Sequence, residues 1–211
     1  MNLLKAIGKQ MQYPKGIFGK VLFAWMTPKT IAHARWTADL LDIQPEDNIL
    51  EIGFGNGANI KLMLQRASGG SVTGVEISKT AIEMASKKNA KAISDGRVKL
   101  YKAEGSALPF DDGVFDMAST VATAYVIANP GAVFKEMYRV LKPNGKAAVT
   151  FPVRENFMRF KPVGTEGFYL HELADLEAAF RSAGFVNCRT ERNDRVHFGA
   201  HCMIGSKSEI N

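Results

Sequence analysis

From Asn48 onward the chain alternates short apolar, β-prone runs with stretches of helical periodicity, and this alternation constrains the fold more than any other feature. Strands joined through helical crossovers lie parallel, and a parallel sheet needs helices on both faces to bury its apolar side chains. The runs are NILEIG (48 to 53), SVTGVE (71 to 76), RVKLY (97 to 101), FDMAST (115 to 120) and GKAAVTF (145 to 151). Helices are expected over 58 to 66, 79 to 89 and 131 to 141. The last is stopped at KPNG, where Pro143 and Gly145 turn the chain into the fifth strand. A loop from 152 to 168 precedes one more amphipathic helix, in which Leu173, Leu176, Ala179 and Phe180 share a face and Gly184 is the cap. Two late runs, FVNCRTE and HFGAHCMIG, are close enough in sequence to pair as an antiparallel hairpin.

The first strand runs into FGNGANI, with glycines at 53, 55 and 57. Gly53 and Gly55 allow a tight turn and close approach of a ligand to the backbone, while Gly57 lets the following helix pack against its strand. Similar glycines also occur in purely structural turns, and Gly53-x-Gly55-x-x-Ala58 fits the dinucleotide fingerprint of nicotinamide enzymes. Glu76, at the tip of the second strand, can accept hydrogen bonds from both ribose hydroxyls of an adenosine. It therefore reports a nucleoside more than the rest of the cofactor, and it disfavours a 2′-phosphate.

The stretch AEGSALPFDDGVFDMAST (103 to 120) discriminates between these cofactors, because a dehydrogenase has no need of an acid after the third strand followed by Leu-Pro-Phe, a turn and Phe-Asp. Together with ILEIGFGNG, VEIS and EMYRVLKPNGKAAVTF, it resembles the class I S-adenosylmethionine-dependent methyltransferases, particularly the branch that includes quinone-biosynthesis and bacterial phospholipid methyltransferases. The resemblance covers about residues 45 to 205. It implies a three-layer, Rossmann-like doubly wound α/β sheet of seven strands in the order 3-2-1-4-5-7-6, the last strand antiparallel. It also implies S-adenosyl-L-methionine as cofactor, with Glu51 and the backbone of Gly53, Gly55 and Gly57 at the methionine end and Glu76 on the ribose. Ser106 and Glu104 would hold the adenine edge and Ile77 its face; Glu104 stands where Asp is more usual, and Gly105 where Ala is.

Methyl transfer from a sulfonium needs mainly alignment and desolvation. For a hydroxyl or protonated-amine acceptor a general base would help, and the candidates are Tyr125, just after the fourth strand, and His171, after the loop that follows the fifth; an ordinary place in a helix's first turn is the other reading of His171. His197 and His201 are read as structural.

At 211 residues and 46% apolar composition the chain suits one buried core with an appendage. Cys188 and Cys202 show no spacing that would hold a metal, so both are read as reduced thiols of a cytoplasmic protein, and no run is long enough to cross a bilayer. The net charge of +6 is concentrated at the front: Lys5, Lys9, Lys15, Lys20, Lys29 and Arg35 precede residue 39 without an acid among them, and the remaining 21 basic residues balance 21 acidic ones. Residues 1 to 40 are therefore read as a basic, amphipathic helical arm and 41 to 211 as the cofactor-binding domain. Leu3, Leu4, Ile7 and Met11 form one apolar stripe of the arm, and Ile17, Phe18, Val21, Leu22, Trp25 and Met26 a second. The arm can be a lid over an apolar small molecule, a peripheral contact with an anionic membrane surface through residues 1 to 36, or a subunit contact. Nucleic acid is disfavoured, because the rest of the chain offers no extended basic track. The expected function is methyl transfer to a small or lipid-like acceptor, with a nicotinamide-dependent oxidoreductase and a cofactor-binding scaffold as rivals.

Overall fold

The computed structural model describes residues 3–164 and 167–209. Two helices come first, α1 (Leu3–Gln12) and α2 (Gly16–Leu41), so Met1 and Asn2 of the expected arm lie outside the described residues. The alternating part then runs β1 (Asn48–Ile52), α3 (Ala58–Arg66), β2 (Ser71–Glu76), α4 (Lys79–Lys88), the short α5 (Ala90–Ser94), β3 (Val98–Lys102), β4 (Phe115–Val121), α6 (Pro130–Val140) and β5 (Leu141–Pro152). A short α7 (Arg154–Met158), α8 (Leu173–Ser182), β6 (Val186–Asn193) and β7 (Ala200–Ser206) complete it.

The strands form one sheet in the order β3-β2-β1-β4-β5-β7-β6, as the resemblance implies. Strands β1 to β5 are mutually parallel, and β7 enters antiparallel between β5 and β6, closing the expected hairpin. Chain direction places the carboxyl ends of β1, β2 and β4 side by side, the crevice where ligands of such sheets bind.

Each face of the sheet buries its own core. On one, Leu50, Ile52, Ala118 and Val149 meet Phe134 and Met137 of α6 and Leu176 and Phe180 of α8, and the Phe134 and Phe180 rings stand edge to face, 5.4 Å apart. On the other, Ile49, Met117 and Ala148 meet Leu41 of α2 and Ile60 and Met63 of α3. Burying each of these side chains other than the alanines contributes roughly 1.5–3 kcal/mol.

Two local expectations are revised. KPNG does not lie between helix and strand: Leu141 is already extended and pairs with Phe115, the next register pair is Met117 with Lys146, and residues 142 to 145 bulge out around Asn144, whose φ is 62°. The long loop after β5 contains α7 and a 3-10 turn at Lys161–Gly164. Here Phe157 and Val163 are buried beside Tyr125, so contacts from elsewhere in the chain support helices too short to form alone.

The 40/41 boundary falls inside α2, a single 26-residue helix. Its second half buries His33, Ala34, Thr37, Ala38 and Leu41, and the Thr37 and Thr150 hydroxyls meet at 2.6 Å. The first half lies over the carboxyl ends of the strands.

Candidate active site

The glycine loop bends away from β1 through left-handed backbone at Gly53 (φ 73°), Gly55 (φ 54°) and Gly57 (φ 76°), where a side chain would be strained. A Cβ on Gly53 would also press on Thr123, 2.4 Å from its Cγ2, so the loop after β4 is packed against the glycine loop. Gly57 answers a different need. Its close neighbours are Ala85 and Asn89 at the end of α4, rather than the strand, and Asn89 Nδ2 donates to the Gly57 carbonyl at 3.1 Å.

Glu76 turns its carboxylate back onto this corner. One oxygen accepts from the backbone N–H of Ile77 (2.8 Å) and Ser78 (3.0 Å), the other from that of Gly55 (3.1 Å). Burial pushes its pKa up, and these three donors oppose that shift. Beside it Ile77 is 42% exposed, an apolar side chain left open where the flat face of a base could cover it.

Gly53, Gly55, Glu76, Ile77, Glu104, Gly105 and Ser106 all line one cavity of about 410 Å³, within the usual range of small-molecule sites. The residues therefore fit an adenosine-bearing cofactor. The loop carrying the adenine-edge candidates is braced from α6: Arg139 donates to the carbonyl oxygens of Phe110 (2.7 Å) and Leu108 (3.1 Å), while Glu136 accepts from the Leu108 N–H at 2.7 Å. The Arg139 guanidinium beside Glu136 holds that carboxyl below its usual range. EMYR and LPFDD are thus two halves of one brace.

Three of the candidate residues sit elsewhere. Glu51 is fully buried beneath the cavity, accepting from Ser119 Oγ and, at 3.2 Å, from Asn59 Nδ2; Asn59 is the residue that reaches the cavity wall. Burial raises the Glu51 pKa to about 7. Gly57 is a packing position, as described above. His171 lines a separate recess with Arg154, Tyr169 and Arg192, and its Nε2 lies 2.8 Å from the Ile127 carbonyl oxygen. Tyr125, in contrast, borders both the cofactor cavity and its neighbours, and burial pushes its phenol pKa far upward.

The arm supplies the roof. Phe23, Met26, Thr27 and Thr30 of α2 line the cavity at i, i+3, i+4 and i+7, one helical face. Asn56 of the glycine loop donates to Thr27 Oγ1, and Ser78 Oγ donates to the Pro14 carbonyl oxygen at 2.8 Å. The two threonines conceal this face from a search for apolar stripes; its spacing was the available signal. Of the expected second stripe, Leu22 and Met26 pack inward, whereas Ile17, Phe18, Val21 and Trp25 point to solvent.

A second cavity of about 340 Å³ shares Met11, Met26, Thr30, Ala122 and Tyr125 with the first. The surface it presents is apolar throughout, with Trp25, Phe157, Phe160 and Phe198 among its walls. Among the described residues no group of three or more His, Cys, Asp or Glu could hold a metal ion, and no helix is long and apolar enough to cross a membrane.

The family described as "Methyltransferase domain" matches residues 50–149. The uncharacterized methyltransferase YdaC of Bacillus subtilis is 30% identical over 151 residues, which are 72% of this chain and 78% of that protein. The sterol 4-C-methyltransferase strm-1 of Caenorhabditis elegans is 34% identical over 120 residues, 56% of this chain but only 35% of the sterol enzyme. Among solved structures, the phosphoethanolamine N-methyltransferase 2 of Haemonchus contortus in complex with S-adenosyl-L-methionine superposes with a TM-score of 0.78 at 17% identity, covering 99% of this chain and 61% of that one. The last likeness is one of fold.

Proposed function

Because the chain belongs to the class I S-adenosylmethionine-dependent methyltransferases, we propose that it passes a methyl group from this cofactor to a small, lipid-like acceptor with a mainly apolar body. The observation that carries the acceptor class is the apolar second cavity, which shares Met11, Met26, Thr30, Ala122 and Tyr125 as walls with the cofactor cavity. The name of the sterol methyltransferase relative agrees with such an acceptor.

In this reading Glu76 binds the ribose hydroxyls, Ser106 and Glu104 the adenine edge, and Ile77 its face. Asn59, held by Glu51, meets the methionine end beside the backbone of Gly53 and Gly55. Bound S-adenosylmethionine supplies both an activated methyl group and a good leaving group. The protein's share is to align the acceptor and exclude water, effects worth roughly 7–11 kcal/mol of the barrier when the reactants are well oriented. Met11, Met26 and Tyr125 stand between the two cavities and do this work, with the α2 roof keeping water out.

A lipid-like acceptor needs a route from where it dissolves. Ile17, Phe18, Val21 and Trp25 face solvent on the outer side of α2, among Lys15, Lys20 and Lys29, and no acid occurs before Asp39. We place this face on an anionic membrane surface at the cytoplasmic side, each lysine near it contributing roughly 1 kcal/mol. Trp25 and Lys29 are also walls of the apolar cavity, so the docked face leads to the acceptor site. Incubating the protein with methyl-labelled S-adenosylmethionine and a whole-cell extract, then partitioning the products, should place the label in the organic phase. Label confined to the aqueous phase would overturn the lipid-like acceptor.

A further inference from the structure

The apolar cavity presents no polar surface to a ligand, so shape is what it can choose by. Even its polar residues keep their polar atoms to themselves. The Lys29 ammonium sits 3.0 Å over the centre of the Trp25 ring, and the Thr30 hydroxyl lies 3.3 Å from the Thr27 carbonyl oxygen. Both ring nitrogens of His33 are buried with the backbone of His197 and Gly199 beside them, and neither has a hydrogen-bond partner of good geometry. Walls of this kind distinguish one apolar body from another by where they end.

Met11, Met26 and Tyr125 are walls of both cavities, whereas Phe157, Phe160 and Phe198 belong to the apolar one alone and bound it away from the cofactor. Phe198, between β6 and β7, joins this end together: its ring centre is 5.4 Å from that of Phe157 and 5.9 Å from that of Phe160. Its backbone is not one that phenylalanine adopts readily. The Gly199 N–H closes a turn on the Val196 carbonyl oxygen at 2.8 Å, and Phe198, the third residue of that turn, has φ 64°. Glycine or asparagine is the usual occupant of such a position, and a bulky residue persists there only where its surroundings hold it. Here Asn156 Nδ2 donates to the Phe198 carbonyl oxygen at 3.0 Å, and the two neighbouring rings hold the side chain. Glycine would make the same turn without strain, so what phenylalanine adds is a ring in the cavity wall.

We propose that Phe198 is the specificity-determining residue of the acceptor cavity, its ring closing the end away from the cofactor and setting the greatest length of apolar body that the enzyme accepts. The inference rests on the lipid-like acceptor reading and sharpens it from a chemical class to a size limit. An apolar chain gains from each methylene it buries until it meets the ring. Beyond that point further carbons stay in water or push packed side chains aside, and affinity stops rising.

The test is calorimetry with the straight-chain alcohols from 1-hexanol to 1-tetradecanol. In the native protein affinity should climb about fourfold with each added methylene up to a limiting length and then level off or fall. In Phe198→Ala and Phe198→Gly the limit should move to longer chains, so that the alcohol two carbons beyond the native limit binds the variant about 10-fold more tightly than the native protein. Either variant suffices if the other does not fold. No binding of any alcohol, an affinity that climbs through the whole series in the native protein, or an unchanged limit in a folded variant would each overturn the proposal. Phe198 is not a wall of the cofactor cavity, so S-adenosylhomocysteine binding by the same native sample tests the methyltransferase reading separately. Label confined to the aqueous phase in the extract experiment would remove the lipid-like acceptor, while the alcohol series would still show whether Phe198 ends the cavity.

Discussion

The glycine loop and the first half of α2 face each other across one cavity, yet they are specified in opposite ways. In the loop the demands fall on the backbone itself: positive φ at 53, 55 and 57, N–H groups turned onto the Glu76 carboxylate, and close approach of α4 at Gly57. In α2 neighbouring residues answer to different surroundings. Phe23 and Thr27 close on the glycine loop, Met26 and His33 on the apolar cavity, and Ile17, Val21 and Trp25 on solvent. A local motif tolerates little change. A roof helix divides its faces among tasks, and substitution on one face should leave the others standing.

The largest expected effect is in the loop. Gly57→Val sets a β-branched side chain at φ 76° with its Cβ 2.7 Å from Ala85 Cβ and 2.9 Å from Ala85 Cα, and should cost about 4 kcal/mol of folding stability by urea denaturation. A loss below about 1 kcal/mol would show that the loop is as adaptable as the arm, and the contrast would fail.

Next comes the carboxyl beneath the loop. The Glu51 pKa is raised from 4.5 to about 7, so between those values the folded state holds a proton that the unfolded chain releases. Its contribution is fully present below pH 4.5 and is lost as pH rises to 7, a fall of about 3 kcal/mol. Glu51→Gln should remove that slope, so denaturation at pH 5 and pH 8 should differ less in the variant than in the native protein. An identical slope in both would place the titrating group elsewhere.

The smallest stability effect belongs to the outer face of α2. Ile17, 81% exposed, and Val21, 61% exposed, can both become Glu at less than about 0.5 kcal/mol each. The same double variant should no longer cosediment with phosphatidylcholine vesicles containing phosphatidylglycerol, as the native protein should. Undiminished sedimentation would detach this face from the membrane and leave α2 as a roof alone.

The sheet was legible because alternation of period and glycine placement are local: β2 and α3 have the ends that the pattern implies, and the hairpin of β6 and β7 follows from its spacing. The strand order came from resemblance instead, since nothing in a run of valines says which neighbour it will pair with. Helices α5 and α7 escaped because each is five residues long and depends on what it packs against.

Within the site, Gly53, Gly55 and Glu76 could be placed on the cavity from sequence because a glycine turn and a strand tip are local features, whereas Ser106 came from the resemblance. Tertiary structure alone decided the rest. The apolar count of the arm was plain, but which of Ile17, Leu22, Trp25 and Met26 face inward depends on the rotation of a helix whose two halves meet different partners. His33 looks like any histidine in a helix until His197 and Gly199, from the far end of the chain, close over it. Local backbone geometry is written in adjacent residues, whereas burial and an unpaired nitrogen are properties of what the rest of the chain brings alongside.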